Sequence, residues 1–153
     1  MRLFRKREEP FERPEPPTEV TLQAIGHVRS EVARPRARGW EKIESIIEIL
    51  PEHEAKLSNL ERYSHIIVTF YMDLAPGAPE LPEQLTLESG NAYGIFATRS
   101  QLRPNHLGVS VAPLLAIQGT SLRVRGLDAI DGTPVLDVKP VLRSPGEPDE
   151  SGR

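Results

Sequence analysis

Cysteine is absent from all 153 residues. That excludes a disulfide framework, thiolate zinc and iron–sulfur sites, and a cysteine nucleophile. Aromatic residues make up only 5%, with a single Trp, and hydrophobic residues 38%. No apolar run approaches the roughly 20 residues that span a bilayer, and no signal-type apolar segment follows Met1, so the expectation is a soluble cytoplasmic protein without a membrane partner. An excess of either charge is also missing. Lys and Arg total 19 against 22 acids, a net charge of −3, which disfavours a protein that coats nucleic acid by bulk charge. There is no G-x-G-x-x-G, P-loop, HExxH or G-x-S-x-G. The βαβ alternation of a doubly wound nucleotide fold is absent as well. The four histidines, His27, His53, His65 and His106, have no metal-ligand spacing, and no metal is expected.

What the chain does have is proline, 15 residues, about twice the usual share and concentrated in tails and loops. Residues 1–19 hold four prolines, five basic and five acidic residues with no periodic apolar face, and read as a flexible tail. Leu3, Phe4 and Phe11 would otherwise make it a docking arm. Residues 144–153 read as a second tail, leaving 20–143 as one domain. Within it, Val20–Arg29 roughly alternates, with Gly26 as a bulge or bend, and Lys42–Leu50 sets Ile43, Ser45, Ile47 and Ile49 against charged neighbours. Pro51–Leu60 suits a helical turn or two, Pro51 being at the first position. Ser64–Met72 is β-branched and aromatic, a central strand. Ala92–Ala97, Leu107–Gln118, Ser121–Gly126 and Val135–Val138 follow, with Gly119-Thr120 as a hairpin turn and Asp73–Gly90 as a long loop. About seven short strands with little helix predict an all-β fold, a small barrel or a sandwich.

Three polar segments invite chemistry. Arg29–Trp40 carries Arg29, Arg34, Arg36 and Arg38 against one acid, Glu31. It is either a solvated loop or an anion-binding one, since guanidinium forks suit carboxylates and phosphates. Ala97–Ser110 places Arg99 and Arg103 around a Pro104-Asn105 turn, with Gly108 allowing close backbone approach. It is either a polar connection or a cradle for a phosphate or carboxylate. In Gly126–Pro140, Asp131-Gly132 is a turn signal, so Asp131 either caps that turn or joins Asp128 in accepting hydrogen bonds from a ribose or adenine. Asp137 and Lys139 read as a surface pair.

In this order the segments resemble the TsaA-like family, which includes the bacterial tRNA N6-threonylcarbamoyladenosine N6-methyltransferases. The marks are LERYSHIIV (Leu60–Val68), GIFATRSQLRPNHLGVS (Gly94–Ser110) and GLDAIDGTPVLDVKP (Gly126–Pro140), with IGHVRS (Ile25–Ser30) as weaker support. The similarity runs from about Ile25 to Leu142. It implies a small β-barrel that binds S-adenosylmethionine, usually as a homodimer, with tRNA as substrate. Carried over by position, the cofactor contacts fall on Pro35, Arg36, Ala37, Asp73, Leu74, Arg99, Leu107, Asp128, Ala129, Ile130 and Asp131. Arg34, Arg38, Arg103 and Asn105 are expected to meet the substrate. Three departures stand out: the usual Pro-Arg-Gln reads Pro35-Arg36-Ala37, the FH or HQ after the central strand reads Met72-Asp73-Leu74, and NPIG reads Asn105-His106-Leu107-Gly108. The additional C-terminal domain of longer bacterial members is not in this sequence.

The resemblance thus implies a methyltransferase of threonylcarbamoyladenosine beside the anticodon. A carbamoylated N6 is a poor nucleophile and benefits from a base, for which Asp73, His65 and His106 are candidates. His65, within a strand, is also readable as a satisfied core histidine. Two alternatives stay open: the same fold methylating a small metabolite or another nucleoside, and a non-catalytic barrel that binds S-adenosylmethionine or RNA. Residues 20–143 hold thirteen basic and fourteen acidic residues, and the arginines gather at 29–38 and at 99 and 103, so RNA contact is expected to be patchy.

Overall fold

The structure, a computed structural model, describes residues 10–75 and 81–143. Among the described residues eight strands form: β1 Gly26–Arg29, β2 Glu44–Ile49, β3 His65–Tyr71, β4 Gln84–Thr86, β5 Ala92–Gly94, β6 Leu107–Gln118, β7 Ser121–Arg125 and β8 Pro134–Pro140. Six of them close an antiparallel barrel in the order β1-β2-β7-β6-β3-β8, with β8 returning to β1, while β4 and β5 make a separate two-stranded hairpin. Closure gives every barrel strand a partner on both sides over at least part of its length.

The barrel follows from period-2 alternation. In β3, Ile66, Val68 and Phe70 are buried while His65 and Tyr71 face outward. In β2 the buried set is Ser45, Ile47 and Ile49. With Val28, Leu114, Leu122, Val124, Leu127 and Val135 these residues fill the interior, and each fully buried Val, Leu or Ile stabilises the fold by about 1.5–3 kcal/mol. Gly26 is obligatory for closure: a Cβ there would lie 2.3 Å from the Glu48 carbonyl oxygen across the β1–β2 pairing. Gly119 has φ +60° at the first loop position between β6 and β7, the positive φ of a two-residue type II′ hairpin.

Several boundaries move. Only Gly26–Arg29 of the Val20–Arg29 segment is a strand, because pairing to β2 and β8 begins at Gly26. Gly26 opens β1 rather than bending it. Ala92–Ala97 divides into β5 and a 3-10 turn, Ile95–Ala97. The Asp73–Gly90 loop contains β4, a three-residue strand. Pro51–Leu57 is a 3-10 helix. His65 is exposed, not a core histidine, because it is in phase with outward Thr69 and Tyr71. Phe11 is 85% exposed. Leu3 and Phe4, and the 144–153 segment, lie outside the described residues.

Candidate functional site

One end of β3 opens into a cleft of about 680 Å³, within the range of ligand pockets, about 300–1,000 Å³. Three loops and the strand end build it. Pro35, Arg36, Ala37 and Trp40 come from the loop after β1; Phe70, Met72, Asp73 and Leu74 from the end of β3; Arg99, Ser100 and Gln101 from the segment before β6; and Asp128, Ala129, Ile130 and Thr133 from the β7–β8 connection.

The arginine loop is held by its own chemistry. The Arg36 guanidinium sits 5.1 Å from the Trp40 ring centroid, an attractive cation–π arrangement. It also donates to the Gly39 carbonyl, and the Trp40 indole N–H donates to the Arg36 carbonyl at 3.0 Å. Gly39 takes φ +83°, which a side chain would resist. Asp131 ties the loop base to the β7–β8 connection: its carboxylate accepts the Ser30 N–H at 3.0 Å and its own N–H donates to the Val32 carbonyl at 2.8 Å. Arg38 reaches away to both carboxylate oxygens of Glu88, at 3.1 and 2.9 Å.

On the opposite wall, Arg99 donates to the Val109 carbonyl at 2.7 Å and lies 3.7 Å from the Asp128 carboxylate, whose other oxygen accepts the Ser110 hydroxyl. Asp128 is thereby fixed from two sides. Phe70 is seated by Gly108, opposite it across the β3–β6 pairing, where a Cβ would approach the ring to 2.3 Å. Beyond β3 the backbone turns tightly, with the Asp73 N–H donating to the Tyr71 carbonyl at 3.0 Å and the Met72 N–H to the His106 carbonyl at 2.9 Å. His106 also has its Nδ1 3.0 Å from the Gln101 carbonyl and its ring edge-on to Tyr71. Asn105 and His106 both have positive φ, 65° and 47°, an uncommon pair for residues with a Cβ. They hold the turn that delivers Arg99–Gln101 to the cleft.

Of the residues singled out from sequence, Pro35, Arg36, Ala37, Asp73, Leu74, Arg99, Asp128, Ala129 and Ile130 line this cleft. Leu107 and Asp131 do not; Asp131 is occupied with Ser30 and Val32. Arg34 is exposed outside it, and Arg103 donates to the Thr98 carbonyl at 3.0 Å. Asn105 shapes the turn. Asp137 and Lys139 form an ion pair of their own. Among the proposed bases, Asp73 faces the cleft, His106 braces its rim, and His65 sits at the other end of β3, six residues from Tyr71, roughly 20 Å at 3.3 Å per residue. Sequence reasoning missed Trp40, Phe70, Met72, Ala75, Ser100, Gln101 and Thr133. The one signal available was that the only Trp closes the arginine-rich segment. Glu44, outside the cleft on β2, has its carboxyl held below the usual range by the Arg125 hydrogen bond, aided by Arg123.

The donor set suits S-adenosylmethionine. Its amino-acid end needs a cation for the carboxylate and an anion for the ammonium, its sulfonium favours a carboxylate, and its adenine favours apolar walls. Arg36 and Arg99, Asp73 and Asp128, and Phe70, Met72, Leu74 and Ile130 supply these within one cleft.

Comparison with known proteins adds independent findings. The family model of the tRNA-methyltransferase O N-terminal domain matches residues 27–145. An S-adenosyl-L-methionine-binding protein of Archaeoglobus fulgidus is 37% identical over 126 residues, covering 78% of this chain and 88% of that protein. The tRNA (adenine(37)-N6)-methyltransferase of Mus musculus is 37% identical over 122 residues, 77% of this chain but 27% of the mouse protein. The crystal structure of TrmO from Pseudomonas aeruginosa superposes with a TM-score of 0.67 at 30% identity, covering 88% of this chain and 61% of that one.

Proposed function

The chain belongs to the tRNA-methyltransferase O N-terminal domain family, and from that premise we propose that it is an S-adenosylmethionine-dependent methyltransferase acting on N6 of threonylcarbamoyladenosine beside the anticodon of tRNA. The observation that carries this is the convergence of Pro35–Ala37, Asp73–Leu74, Arg99 and Asp128–Ile130 on one cleft. We take 20–143 as the working domain, flanked by tails at 1–19 and 144–153, and place it in the cytoplasm as a homodimer. Exposed Leu87, Tyr93 and Phe96 in and beside the β4–β5 hairpin support a second copy, because a two-stranded hairpin is marginal alone.

When bound, the cofactor supplies a methyl group made electrophilic by its sulfonium. The protein's part is proximity and electrostatics. Arg99 holds the carboxylate end of the cofactor, its guanidinium already aimed by Val109 and Asp128. Asp128, fixed by Ser110 and Arg99, offers a carboxylate toward positive charge. Arg36 is committed to Trp40 and Gly39 and acts chiefly by shaping the wall. Asp73 is the base candidate that lines the cleft. Arg34 and Arg38 serve the RNA backbone, the exposed Arg38–Glu88 pair being weak enough to exchange for phosphate.

Calorimetry of S-adenosylmethionine binding tests the cofactor role. Arg99→Ala is expected to weaken binding by about ten- to a hundredfold, the loss of one charge-assisted contact of roughly 1.5–3 kcal/mol. Unchanged affinity would remove Arg99 from the site. A second reading, a barrel that binds the cofactor without transferring it, is favoured by one fact: the Archaeoglobus protein of matching length is named for binding alone.

A further inference from the structure

The cofactor cleft has a neighbour. A second cleft of about 560 Å³ shares Trp40, Arg99 and Asp128 with it and continues over the outer face of β6 to Arg125. Its origin is topological. β6 pairs with β7 only from Leu114 onward, and the pairing slips between Leu114 and Ala116. β7 pairs with β2 out to Arg125, and beyond it the Gly126 N–H donates to the Ile43 carbonyl at 2.9 Å, leading the chain away from β6. Among the described residues, the Leu107–Pro113 half of β6 therefore has β3 on one side and no strand on the other. Along this half, beside the fork between β6 and β7, the period-2 pleat turns Val109 and Val111 outward, where they are 51% and 58% exposed.

We infer that this fork is the acceptor site, taking an unstacked nucleotide of an RNA loop so that its base reaches into the cofactor cleft where Trp40, Arg99 and Asp128 line both. The inference rests on the methyltransferase reading above and goes further by assigning residues to the RNA side. Its parts match the chemistry of a single-stranded nucleotide. Trp40 is an aromatic wall, fixed through its N–H to Arg36, and bases stack on such rings. Val109 and Val111 give an apolar floor. Arg125, half-exposed, lies at the outer end, where a phosphate would compete for it with Glu44, now 2.9 Å away. In-line methyl transfer needs the acceptor atom in direct contact with the donor's methyl carbon, and the two clefts adjoin where Trp40, Arg99 and Asp128 line both.

The test is fluorescence anisotropy of a labelled anticodon stem-loop RNA, with and without S-adenosylhomocysteine, on the full chain and two variants. Val111→Glu puts a like charge on the floor at an outward position, and Arg125→Ala removes the outer cation. Each is expected to weaken RNA binding by about tenfold, the scale of one stacking or phosphate contact, with cofactor affinity by calorimetry and Tm unchanged. S-adenosylhomocysteine is expected not to compete with the RNA. RNA affinity indifferent to both variants, or displacement of RNA by S-adenosylhomocysteine, overturns the inference and leaves the cofactor reading standing. If Val111→Glu instead converts a dimer to a monomer in sedimentation, the fork belongs to a second copy and the inference fails. RNA binding that responds to both variants, in a chain that binds no S-adenosylmethionine, supports the fork and sinks the methyltransferase reading.

Discussion

Asp128 and Ser45 show what a polar side chain on a barrel wall can and cannot do. Asp128 accepts from Ser110 and faces Arg99, so its carboxylate is held in place before any ligand arrives. Such fixed partners avoid the reorganisation cost of assembling a charged site during reaction. Ser45 is the counter-case: it is 2% exposed and its hydroxyl has no hydrogen-bond partner among the described residues. A buried unpaired polar group costs about 1–3 kcal/mol. Ser45→Ala is therefore expected to raise stability by about 1 kcal/mol, read as a higher Tm in thermal denaturation. A lower Tm would mean that the hydroxyl is satisfied. The same scale explains His65. The period-2 pattern that buries Ile66, Val68 and Phe70 puts His65 outward, and the apolar neighbours, not the phase, suggested burial from sequence.

Among the elements, the barrel strands were the most legible where their alternation is strong: Ile47 and Ile49 against Glu44 and Glu48, and Leu122 and Val124 against Arg123 and Arg125. β4 was not legible, since three residues with one apolar side chain, Leu85, carry no period. The cleft was visible through motif resemblance at Arg36, Arg99 and Asp128. The fork beside β6 was not, since it arises from where β7 stops pairing, a long-range property with no local signal. Asp131 is the instructive element-level case. Turn chemistry and ligand chemistry both fitted it from sequence, and the fold spends it on the Ser30 N–H, fastening the arginine loop to the β7–β8 connection. Asp131→Ala is expected to cost about 1 kcal/mol of stability and to weaken cofactor binding severalfold by loosening Pro35–Trp40, measured by Tm and calorimetry. Wild-type affinity together with a lower Tm would separate the fastening from the site.

At the scale of the molecule, a net charge of −3 coexists with Arg36, Arg99 and Arg125 lining two adjoining clefts. The near-neutral barrel argues for steering by patches rather than by total charge. Among the described residues no helix is long and apolar enough to cross a membrane, and no cluster of metal-ligating side chains occurs. A closed barrel fixes the inner faces of all six strands, so its chemistry is confined to strand ends and connections. The first cleft lies there, and the second extends from it over the outer face of β6, the two sharing Trp40, Arg99 and Asp128. On the proposed function the chain transfers a methyl group to tRNA and does not merely bind the donor. The most direct measurement is incubation of the purified chain with methyl-labelled S-adenosylmethionine and tRNA carrying threonylcarbamoyladenosine, followed by nucleoside mass spectrometry. Label on N6 of that nucleoside is the expected result; tRNA left unlabelled by a chain that binds the cofactor would make it a binder and not a methyltransferase.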